Sequence, residues 1–247
     1  MTTIDLNADL GEGDEFDVEL MRVISSCNIA CGGHAGDAAS MAVTVDLATA
    51  NDVAIGAHPS YPDRDGFGRT ARFSSGEELH NSLLEQIDTL KSIGRDGGRE
   101  IAHIKPHGAL YNDAAQDPAL AEIVIRAAQE TCPGASIVGP PQGALQDAAL
   151  QAGANYIVEG FVDRAYMADG TLVPRTEPNA VHSDMNTITT QALRLATEGE
   201  LTAENGEIIA VPVQTLCLHG DTPNAGEVGR AVRDVLLKSG VEIRARA

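Results

Sequence analysis

Short apolar runs of β-forming residues alternate seven times with helical patterns along this chain, and almost every run stops at a cluster of polar residues. The expected strands are 4–8, 26–30, 53–57, 101–105, 136–139, 156–160 and 208–216. Between them, Leu79, Leu83, Ile87 and Leu90 share one helical face. So do Leu120, Ile123, Val124, Ala127 and Ala128, and again Val228, Ala231, Val232, Val235 and Leu236. Asp117-Pro118 and Thr222-Pro223 read as helix starts, and Gly94, Gly153 and Gly240 as helix ends. Strands that alternate with helices over short connections form a parallel sheet. No internal repeat and no Gly/Ser-rich or Pro-rich linker interrupts the series, so residues 1–247 are expected to form one domain.

Such a sheet is either open and doubly wound or closed into a barrel, and the polar residues decide. Asn7, Asp9 and Glu12 follow or end the first strand, Asn28, His34 and Asp37 the second, and His58, Asp63, Arg64 and Arg69 the third. Lys105, His107 and Asn112 follow the fourth, Asp163 and Arg164 the sixth, and His219 and Asp221 the seventh. A barrel brings all these strand ends to one rim, where barrel enzymes place their chemistry. In an open sheet the first and last strands need not meet, and ligands favour the point where strand order reverses. A site drawn from nearly every strand therefore favours a closed α/β barrel.

The chain has no Trp and only 3% aromatic residues, so its core must be aliphatic. A formal net charge of −19, spread through the helical stretches, argues against nucleic acid or an anionic membrane as partner. No apolar run of about 18 residues is present to span a membrane. The opening MTTIDLNADLGEG lacks the basic and apolar segments of a secretory signal. Cys27, Cys31, Cys132 and Cys217 are scattered through apolar segments and read as reduced, buried thiols. The expected location is the cytoplasm.

Period-two alternation puts Asp5, Asn7 and Asp9 on one side of the first strand. If that side faces a barrel interior, these groups need partners; the alternative is a half-exposed edge strand with an acidic turn. The glycine-rich turn holding Gly32, Gly33 and Gly36 allows close backbone approach to a ligand, but matches neither a Walker phosphate loop nor a dinucleotide fingerprint. The long loop over 56–69 is a candidate lid. Its Arg64 or Arg69 would suit a carboxylate or phosphate, the alternative being surface pairing with Asp63 and Asp65. Asp221 reads as a helix cap, which leaves His219 as the informative residue of the last cluster.

The stretch His103-Ile104-Lys105-Pro106-His107-Gly108-Ala109-Leu110-Tyr111-Asn112 presents the densest chemistry. Lys105 is one of three lysines, and at the end of an apolar run it is costly to bury unless paired. His103 has the same strand parity, sits deeper and is expected to support Lys105, whereas His107 lies past the strand end and is the better reactive group. The competing reading has Lys105 reaching solvent and both histidines as satisfied core residues.

Taken together, DLNADLGEG, NIACGGHAGD, AIGAHPSYPDRDGFGR, HIKPHGALYN, EGFVDRAYMADGTLV and CLHGD span residues 5 to 221, and the chain resembles the LamB/YcsF family. It departs at Gly33, where the family more often carries Phe. The resemblance implies a distorted (β/α)7 TIM-like barrel of the glycoside hydrolase/deacetylase type. It also implies ATP-dependent opening of the lactam 5-oxo-L-proline to L-glutamate, in a complex with 5-oxoprolinase subunits B and C. On this reading Asp9 or His107 is the base, Lys105 with an arginine is the anion partner, and His34 joins them in the catalytic set. Asn7, Glu12, His58 and Arg64 would contact substrate, as would Arg69, Asn112, Arg164 and His219. Related deacetylase barrels bind a divalent metal, Mg or Zn, through one Asp and two His; Asp9, His58 and His107 could imitate that set. Two alternatives stand beside the lactamase reading. One is a stand-alone metal-dependent amide or N-acetyl hydrolase; the other is a non-catalytic binding component of a lactam-utilisation complex.

Overall fold

The structure, a computed structural model, describes residues 2–73, 75–220 and 224–246. Seven parallel strands close into a barrel: β1 (Thr3–Leu10), β2 (Ser26–Ala30), β3 (Ala54–His58), β4 (Ile101–Ile104), β5 (Ser136–Gly139), β6 (Tyr156–Phe161) and β9 (Thr215–Leu218). Closure comes from β9, which pairs with β6 on one side and with β1 on the other. A short final strand, β10 (Glu242–Ile243), adds to the start of β1. Around the barrel run α1 (Asp17–Leu20), α2 (Ala38–Asn51), α3 (Gly76–Asp96), α4 (Gly108–Gln116), α5 (Pro118–Thr131), α6 (Ala144–Gln151), α7 (Met185–Glu198) and α8 (Ala225–Lys238). The expected apolar faces pack inward: Leu79, Leu83, Ile87 and Leu90 of α3 are all buried.

The expectation of a last strand over 208–216 needs correction. Ile208–Ala210 is β8, which pairs antiparallel with β7 (Glu200–Thr202) as a hairpin outside the barrel, and only Thr215–Leu218 joins the barrel wall. Pro212 explains the break, since proline cannot donate to a strand ladder. Gly94 does not end its helix either. The helix continues to Asp96, and a Cβ at Gly94 would lie 3.1 Å from Ile55 Cδ1, so this glycine lets the helix press against β3. Asp117 caps α5 by accepting from Ala119 N–H, with Pro118 in the first turn. Asp37 caps α2, accepting from the N–H groups of Ala39 and Ser40. Asp221 and Thr222-Pro223 lie outside the described residues.

The barrel interior is polar from the start of the strands to their C-terminal ends. Asp5, Asn7, Asn28, His103, Lys105, Glu159 and Thr215 are all buried, and their side chains meet there. Asp5 accepts from Ser25, Ser26 and Thr215 hydroxyls, Asn7 donates to Thr215 and Glu159, and Asn28 donates to Asn7 and Asp9. Burial without partners would cost each such group a few kcal/mol, roughly, so the network is a condition of closing the barrel.

Gly56 shows how tightly it is arranged. In register it pairs with Asn28 on β2 and with His103 on β4, and its missing side chain lets the His103 ring cross the strand to Asn28 Oδ1 at 2.7 Å. A Cβ at Gly56 would lie 2.1 Å from His103 Nε2. Gly56→Ala is therefore expected to destabilise the protein by about 1–3 kcal/mol through overpacking. Urea denaturation checks this; a change within about 0.5 kcal/mol would mean that the interior yields easily.

Candidate active site

The strand C-termini open onto a cavity of about 110 Å³. Its lining includes Asp9, Glu12, His58, Arg69, Lys105, His107, Asn112, Arg164 and His219, drawn from five strand ends. At its floor the Lys105 ammonium, 2% exposed as a residue, donates to Asp9 Oδ1 at 2.9 Å and Glu159 Oε1 at 2.8 Å. It also lies 3.3 Å from Cys217 Sγ. Burial opposes its charge, but Asp9, Cys217 and Glu159 hold the ammonium well above the usual lysine range. Asp9 is the counterpart. Burial works against its charge too, yet His58 and Lys105 hold its carboxyl well below the usual carboxylate range. The site therefore presents a fixed cation beside a fixed anion.

On the other side of Asp9, three imidazoles gather around Glu12. His34 Nε2 is 2.9 Å from Glu12 Oε1, His107 Nδ1 is 3.4 Å and His58 Nε2 is 3.8 Å. The His34 and His107 rings stack with centroids 3.6 Å apart, and His58 meets both edge-on. Burial and the neighbouring His58 push His34 down to about 3 and His107 to about 2, so both are uncharged at neutral pH. Burial and the Asp9 charge raise Glu12 to about 8. One donor atom from each of these four residues lies within 4.8 Å of all the others, a grouping able to hold a metal ion.

On the far wall His219 Nδ1 pairs with Asp163 at 2.7 Å, and its ring stacks on Phe161. Burial opposes the imidazolium, but Asp163 raises His219 above the ordinary histidine value. Arg164 is braced by the carbonyls of Ala180 and Val173, and Arg69 lies at the mouth with its guanidinium over Phe67.

The structure gathers most, though not all, of the residues expected from the sequence. Arg64 does not reach the cavity: its guanidinium donates to the carbonyls of Gly32 and Gly36, fastening the β2–α2 turn to the long loop. Asp63 is committed to Arg72 and to loop N–H groups. Asn7 lies beneath Lys105 in the interior network. Asn112 lines the mouth and donates to Gly108 O one turn back. His34 stands behind His107. His103 shares the side of Lys105 and sits deeper, but its bond goes to Asn28, so any support it gives the lysine passes through Asn28 and Asp9. A side chain at Gly33 would collide with Ser60 and Gln86, which fill the space beside it.

Sequence reasoning missed Glu159, Tyr111, Phe161 and Arg175. Glu159 was visible as the one charged residue inside an otherwise apolar strand run. The Tyr111 hydroxyl and Glu159 Oε2 are buried without a hydrogen-bond partner among the described residues.

Comparison with known proteins bears on the whole chain. The LamB/YcsF family profile matches residues 4–247. The A component of 5-oxoprolinase from Methylococcus capsulatus is 45% identical, over 98% of this chain and 95% of its own. That of Neisseria meningitidis is 43% identical, over 99% of this chain and 100% of its own. The lactam utilization protein of Thermus thermophilus superimposes with a TM-score of 0.92 at 40% identity, covering 98% of this chain and 99% of that one. A family 4 carbohydrate esterase from Streptomyces lividans shares the fold alone, at a TM-score of 0.50 and 10% identity over 100% of this chain and 93% of that one. By sequence along its full length and by the shape of its barrel, this chain belongs to the LamB/YcsF family.

Proposed function

We propose that this chain is the substrate-handling component of an ATP-dependent 5-oxoprolinase, which opens the cyclic amide of 5-oxo-L-proline to L-glutamate. The observation that carries the reading is the small cavity with a buried ammonium at its floor and arginines toward its mouth. Its volume is on the scale of a cavity that takes one benzene-sized ring, about 150 Å³. A five-membered lactam with one carboxylate is of that size. Arg69, Arg164 and Lys105 all line the cavity; on this reading Arg69 or Arg164 meets the carboxylate, and Lys105 meets negative charge developing on the lactam carbonyl oxygen. On this reading Asp9 or His107, both beside His58, takes the proton from attacking water. The relatives are named as one lettered component of 5-oxoprolinase, which supports work in a complex. The chain contains no Walker-type loop, and on this reading ATP acts through the complex with partner subunits B and C. Among the described residues no helix is long and apolar enough to cross a membrane.

The imidazole cluster supports a second reading, a stand-alone metal-dependent amide hydrolase. The two part cleanly in one assay: glutamate release from 5-oxoproline, with and without ATP, partner subunits and EDTA. The first reading expects activity only with ATP and partners. Release by this chain alone, abolished by EDTA, would establish the second.

Lys105→Met is expected to lower turnover of the reconstituted complex by about 10²-fold or more. Circular dichroism establishes that the variant is folded. Full activity in a folded variant would remove Lys105 from the mechanism.

The Asp163–His219 pair gives a pH signature. Because His219 is raised in the folded state, its charge stabilises the protein fully below the unfolded value of about 6.5, and that contribution is lost as pH rises through the folded value. His219→Gln should therefore destabilise the protein more near pH 6 than above about pH 9, as measured by urea denaturation at both. An equal loss at both would mean that Asp163 does not hold an imidazolium.

A further inference from the structure

The three imidazoles beside the cavity carry hydrogen bonds on their outer nitrogens that decide which inner nitrogens are bare. His58 Nδ1 is 2.8 Å from the Lys105 carbonyl oxygen, which can only accept, so Nδ1 carries a proton and in the neutral ring Nε2 keeps the lone pair. His107 Nε2 is 3.0 Å from the Phe67 carbonyl oxygen, so by the same rule its Nδ1 is bare. Those two bare nitrogens face each other at 3.0 Å. Glu12 Oε1, another acceptor, lies 3.4 Å from His107 Nδ1 and 3.8 Å from His58 Nε2. His34 reaches the same oxygen through Nε2 at 2.9 Å and by the same rule donates to it while no cation is bound. Its buried Nδ1, which has no hydrogen-bond partner among the described residues, can take that proton when Nε2 binds a cation. Lone pairs converging at these distances repel one another unless a proton or a metal cation lies between them.

We infer that Glu12, His34, His58 and His107 form a binding site for a zinc-class transition-metal cation. Metal–ligand bonds of about 2.0–2.1 Å give a tetrahedron edge of about 3.3 Å. The four measured edges, 2.9, 3.0, 3.4 and 3.8 Å, bracket that length. Since all four donors lie within 4.8 Å of one another, the widest pair need close by no more than about 1.5 Å, with the His34 ring turning out of its parallel stack on His107 so that both lone pairs reach one ion. Three imidazoles with one carboxylate suit zinc and its neighbours; magnesium and calcium favour all-oxygen shells. The carbonyls behind His58 and His107 are the outer contacts that orient metal-binding imidazoles elsewhere.

This set differs from Asp9, His58 and His107. Asp9 falls outside the grouping of four: its Oδ1 is held by Lys105 and Asn28, and only its Oδ2, 3.3 Å from His58 Nε2, approaches those donors, so Asp9 stands beside the cation rather than on it. Four protein donors fill a tetrahedral shell. The cation therefore ties together the C-terminal ends of four adjacent strands, takes His107 out of contention as base and leaves Asp9 to receive the proton. The inference goes beyond the lactam reading and does not depend on it, because binding alone tests it.

The full chain, stripped with chelator and dialysed, would be titrated with ZnCl2 by calorimetry and with CoCl2 by visible absorption. We expect about one Zn²⁺ per chain, a raised unfolding midpoint on loading, and intense Co²⁺ bands of a tetrahedral site. Glu12→Gln and His107→Ala should each weaken Zn²⁺ binding about 100-fold or more, whereas Arg126→Ala, at an exposed position of α5 paired with Glu77, should leave it unchanged. Millimolar Mg²⁺ should not compete. The inference is overturned if the folded wild-type chain shows no saturable Zn²⁺ binding, if folded Glu12→Gln and His107→Ala bind as tightly as wild type, or if bound Co²⁺ gives only the weak bands of six-coordination.

Discussion

The ion pair network of Lys105 is what the rest of the molecule must accommodate. An ammonium placed at the end of an interior strand cannot be left alone there, because the desolvation cost amounts to several kcal/mol, roughly, even after relaxation. Asp9 arrives from β1, Glu159 from β6 and Cys217 from β9, so one side chain ties together strands that are far apart in sequence. Those carboxylates need their own partners, which Asn7 and Asn28 provide, and Asn28 in turn needs His103. The gap that admits His103 is Gly56. A barrel closed on an apolar interior would be easier to stabilise. This one is closed on a network whose paired members Lys105 and Asp9 also line the cavity.

Asp9 stands where two electrostatic regimes meet. Toward Lys105 it is one half of a fixed charge pair; toward His58 it borders the imidazole cluster around Glu12. Each regime by itself is common in proteins. Their adjacency around a cavity sized for one small ring is what makes a hydrolytic reading coherent: one side can hold anionic charge, and the other can order donors and accept a proton.

Much of this was legible in the sequence, for identifiable reasons. The barrel followed from strand–helix alternation together with polar residues at strand ends, and the inward side of β1 followed from the parity of Asp5, Asn7 and Asp9, which all join the interior network. What escaped were relations that need three-dimensional register. Glu159 reads as a stray charge in an apolar run until β6 is seen beside Thr215 of β9. Arg64 and Arg69 are alike in sequence, and only the loop's path separates one clamped on the β2–α2 turn from one at the cavity mouth. The final strand was drawn too long because 208–216 is apolar throughout much of its length, and apolar runs do not reveal whether they pair within the barrel or beside it.

The central claim is tested most directly by the titration of Lys105 itself. With only three lysines in the chain, the side-chain signals of a lysine-labelled sample can be assigned by substituting Lys91 and Lys238. The Lys105 ammonium should remain protonated to well above the ordinary lysine value of about 10.4 for as long as the protein stays folded. A Lys105 that loses its proton at or below that value would contradict the claim that Asp9 and Glu159 hold a permanent cation at the floor of the site.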